Sequence, residues 1–338
     1  MSYNSSDRDR ARTTTEMARP PQPMLSLDPE VAVDRRGVRY NPRKEYPEND
    51  RFYNFKHNGR YLFPCDEEEG NRLDIMHKTF TVARGKLFSA PVNISPGYMC
   101  NILDLGCGTG IWSIDVADEA PEGVRVRGVD LVLIQPEAIP KNVEFLQMDV
   151  EAPWQQDVGR DSWDLIHLRT LNGSIQNYPQ LYSRIYSHLK PRVGYMEQVE
   201  IDWLPRCSDG TMSPYADILK WATELLSAMD IHGRSMRVDS QRTMAQLREA
   251  GFVDIKEEVI KVPISGWPSD PIERERGRWL ALGLTKSLSA LALAPLTRIK
   301  GRSKAEIDDL VERVRNEVAM RRIQAHCYVY VWTARRPQ

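Results

Sequence analysis

The chain is poor in cysteine: Cys65, Cys100, Cys107, Cys207 and Cys327 are widely spaced among 338 residues, and no two form a CxxC pair. That scarcity excludes a disulfide framework and a zinc cluster, so no metal is expected and a reducing compartment fits. Charge of one sign is missing too. Lys plus Arg number 46 and Asp plus Glu 47, a net charge of -1, so no global basic field draws the protein to phosphate backbones, and direct nucleic-acid binding is not expected. The first residues, MSYNSSDRDRARTTTEMARPPQP, are polar where a secretory signal needs an apolar stretch. The most apolar run, Leu280 to Leu296, is broken by Thr285, Lys286 and Ser287 and falls short of the ~18 uninterrupted residues that span a bilayer. These absences predict a soluble intracellular protein without a transmembrane segment, and no internal repeat is visible.

What is present suffices for one large domain or two modest ones. Residues 1–52 mix Ser, Thr, Pro, Arg and Asp with few large apolar side chains and are expected to be a disordered tail. Arg8, Arg10, Arg12 and Arg19 are interleaved there with acids and make a poor localisation signal. Residues 53–95 read as a helical cap. Asp66, Glu67, Glu68 and Glu69 stand at the positive end of a segment in which Leu73, Met76, His77 and Phe80 share a helical face, predicting a helix over 66–89. From residue 96 to 338, short apolar runs alternate with helical stretches, the pattern of βαβ units. Strands are expected at Cys100–Leu105, Val124–Asp130, Val143–Met148, Trp163–Leu168, Gly194–Glu200, Phe252–Val262 and Ala325–Thr333. Helical insertions are expected near 207–245 and 265–320.

The chemistry is carried by Asp104-Leu105-Gly106-Cys107-Gly108-Thr109-Gly110, where a strand runs into a glycine-rich turn and then a helix. In a doubly wound sheet this is where a nucleotide-like ligand meets the strand ends. A dinucleotide fingerprint would need Gly or Ala at 111, where Ile111 stands, and no Lys-Ser/Thr completes a phosphate loop. An acid two residues before the first glycine suits a cationic amino group, as in S-adenosyl-L-methionine. Asp130 and Asp149 end or follow the next two strands, placed for the ribose hydroxyls and the adenine amine; the alternative is that they cap turns. Thr109, Leu131 and Val150 belong to the same expected cofactor shell. Cys107, between glycines, supplies a small side chain rather than a nucleophile.

The segments YLFPCDEEEGNRLDIMHKTFTVAR, ILDLGCGTGIWSIDVA, EAPW, DSWDLIHLR, EQVEIDWLPRC and LALAPLTR resemble the LaeA-like fungal methyltransferases over roughly residues 53–338. Arg169 to Ile175 looks more like the velvet-associated VipC and VapB paralogues than LaeA itself. The resemblance implies an α/β fold of the class I S-adenosylmethionine-dependent type, Rossmann-like, with a seven-stranded, mostly parallel sheet whose last strand is antiparallel. It implies a regulator of fungal development and secondary metabolism in cytoplasm and nucleus, methylating a protein acceptor; the alternatives are a small-molecule methyltransferase of a metabolite pathway or a velvet-type interaction scaffold with little catalysis. The partners it implies are velvet-family proteins, a membrane-tethering zinc-finger protein, or a second LaeA-like methyltransferase.

Other residues carry open readings. By fold position His167 is a candidate base or cofactor contact, or else a histidine hydrogen-bonded within its strand. Arg72 and His77 either close over the cofactor carboxylate or serve the surface and core. Alternation along the strand points Glu197 towards the site and Glu200 away. Trp112 reads as core, and Glu312 to Arg322 as a solvated helix face. The apolar excess from Trp279 to Leu293 needs cover on more than one side, so Leu288 and Leu291, if exposed, would mark a partner surface.

Overall fold

The computed structural model describes residues 31–154 and 158–338. Two short hairpins come first, β1 (Ala32–Val33) with β2 (Arg39–Tyr40) and β3 (Glu45–Glu48) with β4 (Arg51–Asn54). Order therefore begins ahead of residue 53. β4 is buried along its length, because Phe52 and Tyr53 enter the core and the Arg51 guanidinium lies bidentate on Asp66 at 2.8 and 2.7 Å. The four tail arginines lie outside the described residues.

Asp66 also caps the cap helix, α1 (Glu67–Arg84), by accepting the Glu69 N–H at 2.9 Å. The helix stops short of residue 89 because Gly85 takes the left-handed conformation, φ +68°. Next come β5 (Cys100–Leu105), α2 (Ile111–Glu119), β6 (Val124–Asp130), β7 (Val143–Gln147), β8 (Leu165–Arg169) and α3 (Tyr178–His188). They are followed by β9 (Tyr195–Arg206), α4 (Asp217–Ile231), α5 (Ser240–Glu249) and β10 (Val253–Pro263). α6 (Pro271–Ala294), a π turn at Pro295–Ile299, α7 (Lys304–Met320) and β11 (His326–Arg335) complete the chain.

The main sheet runs β7-β6-β5-β8-β9-β11-β10. β11 is antiparallel to both neighbours and the other strands are mutually parallel, as the sequence predicted. β9 continues to Arg206, beyond the expected Glu200, because β11 pairs with it as far as that residue. α5 packs on α3 and β10 as an ordinary crossover helix, so the first insertion holds α4 alone.

Apolar side chains of α1, α4, α6 and α7 join the carboxyl half of β9 and the adjoining ends of β10 and β11 in one cluster. The helical layer thus sits over the carboxyl ends of the parallel strands. Within it Leu288 is fully buried and Leu291 is 5% exposed, which removes the expected partner surface. Helices of the same chain supply the second cover: α1, α4 and α7 all pack on α6. Gly283 lets α1 approach closely, since an added Cβ would lie 2.6 Å from the Met76 sulfur of α1. By length and composition the helix through Ile299 could cross a membrane, yet 67% of its most apolar window is buried inside the protein, as a core helix requires. α7 buries Ile307, Leu310, Val311, Val314 and Val318 and leaves its charged face outside, where the charged-helix expectation placed it.

Candidate active site

The glycine-rich turn gets its shape from backbone conformations open mainly to glycine. Gly106, Gly108 and Gly110 have φ of +68°, +56° and +78°, and the Gly106 and Cys107 N–H groups donate to the Val129 carbonyl of β6. A Cβ on Gly106 would lie 2.4 Å from a Leu171 methyl, and one on Gly108 3.0 Å from Leu73 of α1. Above the turn opens a cavity of about 1440 Å³, its mouth included, roofed by α1, α6 and residues 57–63. Of the expected cofactor residues, Asp104, Gly106, Gly108, Thr109, Asp130, Leu131, Asp149 and Val150 line it.

Each acid has a definite task. Asp130 accepts the Gly108 N–H at 2.8 Å on one oxygen and the Val132 N–H at 3.1 Å on the other, and the carboxylate keeps acceptor capacity for a ligand hydroxyl. Burial raises its pKa despite the bonds from the Gly108, Val132 and Leu131 amides. Asp149 accepts the Glu151 N–H at 2.9 Å and faces Arg60 at 3.6 Å. Asp104 is committed within the fold: one oxygen meets His167 Nδ1 at 3.0 Å and the other accepts the Ser113 hydroxyl at 2.8 Å. Thr109 donates its hydroxyl to Asp74 at 2.6 Å, tying the turn to α1.

Two expected contacts belong elsewhere. Gly110 is absent from the cavity wall; it begins α2, and a Cβ there would sit 2.3 Å from the Phe145 ring of β7, so this glycine serves packing. His167 is fully buried and away from the wall, stacked on Trp112 with centroids 3.7 Å apart and planes 6° apart. Burial lowers its pKa and keeps it neutral, and its Nε2 has no partner among the described residues. It is a core histidine that orients Asp104, and the core reading of Trp112 holds. Burial likewise pushes the Cys107 thiol well above its ordinary value, leaving it unreactive.

Arg72 does face the cavity, but its guanidinium is engaged bidentately by Glu69 at 2.8 and 2.7 Å. His77 bonds Asp115 at 2.8 Å and Arg169 at 3.2 Å; burial, and then the Arg169 charge, lower its pKa to about 4, so it is neutral. The open cation is Arg169, at the end of β8, which sequence reasoning passed over as part of a resemblance segment. It lies over the Phe80 ring at 5.3 Å and lines the cavity, with no carboxylate at ion-pairing distance among the described residues. Burial lowers its pKa to about 10, which leaves it charged at neutral pH. Its signal was available: an arginine at a strand end beside the turn.

The two glutamates of β9 exchange their expected roles. Glu197 points away from the cavity, pairing with Arg84 at 2.6 Å and accepting the Ala90 N–H at 2.8 Å. Glu200 lines the cavity. The β9–β8 register, with Glu197 beside His167, puts residue 197 on the face covered by α1 and α2.

This sheet order, its single antiparallel strand and a cavity at the glycine turn define the class I methyltransferase fold. A methyltransferase-domain family model matches residues 48–257. The secondary metabolism regulator LAE1 of Cochliobolus heterostrophus is 48% identical over 296 residues, covering 87% of this chain and 95% of that protein. The secondary metabolism regulator laeA of Fusarium oxysporum f. sp. lycopersici is 42% identical over 318 residues, 93% and 99% of the two chains. Among solved structures, phosphoethanolamine N-methyltransferase 2 of Haemonchus contortus aligns with a TM-score of 0.45 at 18% identity, over 79% of this chain and 52% of that one. The chain belongs to the methyltransferase-domain family of LaeA/LAE1 secondary metabolism regulators.

Proposed function

We propose that the protein transfers a methyl group from S-adenosyl-L-methionine to a protein acceptor and thereby regulates secondary metabolism and development. The observation that carries the donor reading is the pairing of Asp130 with an uncompensated Arg169 in one cavity beside the glycine turn. Asp130 would hold the ribose diol, Arg169 would hold the methionine carboxylate, and Leu131, Met148 and Val150 would offer an apolar wall to adenine. The donor brings a methyl group already activated on a sulfonium. The protein's task is therefore to align, to exclude water and to manage the acceptor's proton. α1 excludes water, because Arg72, Leu73 and Met76 close the cavity over the turn.

The regulator names of the relatives favour a protein acceptor over a pathway metabolite. The same reading places the protein in cytoplasm and nucleus, with velvet-family proteins, a membrane-tethering zinc-finger protein or a second methyltransferase of the family as partners. Incubating wild type and Gly106→Ala with methyl-labelled donor and fungal cell extract tests it. Label on discrete protein bands with wild type alone is expected. Label confined to small molecules would overturn the protein acceptor, and no label or donor binding would overturn the enzyme reading.

A further inference from the structure

Glu200 stands one residue across from the glycine turn: Leu171 touches Gly106 with its side chain and donates its N–H to Glu200 at 3.0 Å. All the bonds Glu200 receives fall on one oxygen. Oε1 takes the Leu171 N–H, the Asn172 N–H at 3.2 Å, the Tyr178 hydroxyl at 3.4 Å and the Gln198 amide at 3.4 Å. Oε2 has no partner among the described residues, although Glu200 is only 1% exposed and lines the cavity. The contrast lies three residues away, where Glu197 has both oxygens filled. Oε2 is not among the sealed, unpartnered atoms of the core but opens on the cavity, where it can accept a hydrogen bond from whatever enters.

The surroundings say what that is. Phe63 and Met236 close over the loop that binds Glu200, since a Cβ on Gly173 would lie 3.2 Å from the Phe63 ring and 2.8 Å from Met236. Both line the same cavity as Glu200, and an aromatic face in a cavity with a carboxylate suits a cationic nitrogen better than a neutral polar group. Arg234 pairs with Glu151 at 2.7 Å, Tyr178 and Tyr182 of α3 stay neutral because burial raises both, and Arg169, the open cation of the same cavity, is assigned above to the donor carboxylate.

We infer that Glu200 is the acceptor-side catalytic residue, whose Oε2 pairs with an amine acceptor and takes the proton that its nitrogen must lose. This rests on the methyltransferase reading above. The N–H bond breaks towards Oε2 and the pair left on nitrogen becomes the new N–CH3 bond. The pair of the broken S–CH3 bond stays on sulfur. Burial raises the pKa of Glu200 to about 8, so in the empty cavity it is protonated at pH 7 and gives its proton to solvent when a cation enters.

The test loads the protein with S-adenosylhomocysteine and titrates n-butylammonium by calorimetry at pH 7 in buffers of different ionisation heat. Wild type is expected to bind the amine with release approaching one proton. Glu200→Gln is expected to bind it at least tenfold more weakly, without proton release, while its affinity for S-adenosylhomocysteine stays within twofold, which also certifies the fold. Unchanged amine affinity and proton release in the variant would overturn the inference. So would an equal loss of S-adenosylhomocysteine affinity, which makes Glu200 a donor contact, or no amine binding by wild type at millimolar concentration. n-Butanol binding with the same dependence on Glu200 would overturn the amine class. A nonapeptide with one lysine, titrated beside n-butylamine, separates a protein side chain from a small amine by which binds more tightly. Wild type that fails to bind S-adenosylhomocysteine at all would instead sink the methyltransferase reading.

Discussion

The two halves of the cavity are built by different means. On the donor side, β5, β6 and β7 deliver Asp104, Asp130, Asp149 and the glycine turn in chain order, and the decisive geometry is local backbone. On the acceptor side, Glu200, Leu171, Phe63, Met236 and Leu291 come from five separate segments that only packing brings together. The first half is specified by residue type at fixed spacing, the second by which way a strand faces and what lands on it.

Glu197 and Glu200 give the sharpest way to test that contrast. Glu197→Ala leaves Arg84 as a buried, uncompensated charge and is expected to cost about 3 to 5 kcal/mol of stability in denaturant unfolding. A loss below about 1 kcal/mol would mean that the pair is not structural.

Gly106→Ala acts on the donor side and should leave the sheet intact. A Cβ there must adopt φ +68° and displace Leu171 into the cavity, so S-adenosylhomocysteine affinity is expected to fall at least about a hundredfold, roughly 2.7 kcal/mol. Unfolding should shift much less than for Glu197→Ala. Asp130→Ala removes two amide bonds and the diol acceptor and is expected to cost about 1.5 to 3 kcal/mol of the same affinity by calorimetry.

Arg169→Met sharpens the donor half further. It is expected to weaken S-adenosylhomocysteine about tenfold, roughly 1.4 kcal/mol, while 5′-methylthioadenosine, which lacks the amino-acid portion, binds as to wild type. Equal weakening of both ligands would remove the carboxylate role. Because the substitution replaces a buried cation that lacks a carboxylate partner, the empty protein should be no less stable.

A further effect, small per pH unit but cumulative, concerns pH. Glu200 has its pKa raised from 4.5 to about 8, so between those values the folded chain holds a proton that the unfolded chain has released. Stability therefore falls as pH rises through that window, by up to about 1.36 kcal/mol per pH unit for this one group. Denaturation profiles of wild type and Glu200→Gln should differ by that downward slope between pH 5 and pH 8 and run parallel below about pH 4. Parallel profiles throughout would show that Glu200 is ionised normally.

How much was legible follows the same division. Both β5 and β6 start and stop where apolar alternation and the glycine turn say, and eight of the ten expected cofactor residues line one cavity. His167 was misplaced because a strand position beside the donor does not reveal which face its side chain takes. Glu197 and Glu200 were exchanged for the same reason: period two fixes that they differ, and the neighbouring strands and helices fix which one enters the cavity. Leu288 and Leu291 had an apolar excess that did require cover on several sides, but α1, α4 and α7 supply it from within the chain.

The sequence by itself determined where the strands of the donor half lie along the chain, the turn that needs Cβ-free positions and the acids that follow successive strands. These depend on φ, side-chain volume and spacing, which are local. Tertiary structure decided that Asp104 is committed to His167 and Ser113, that Arg169 remains open, and that Glu200 keeps one oxygen free. Whether a charge is compensated depends on partners up to hundreds of residues away and on the burial they create, and neither is written in the spacing of the residues that carry it.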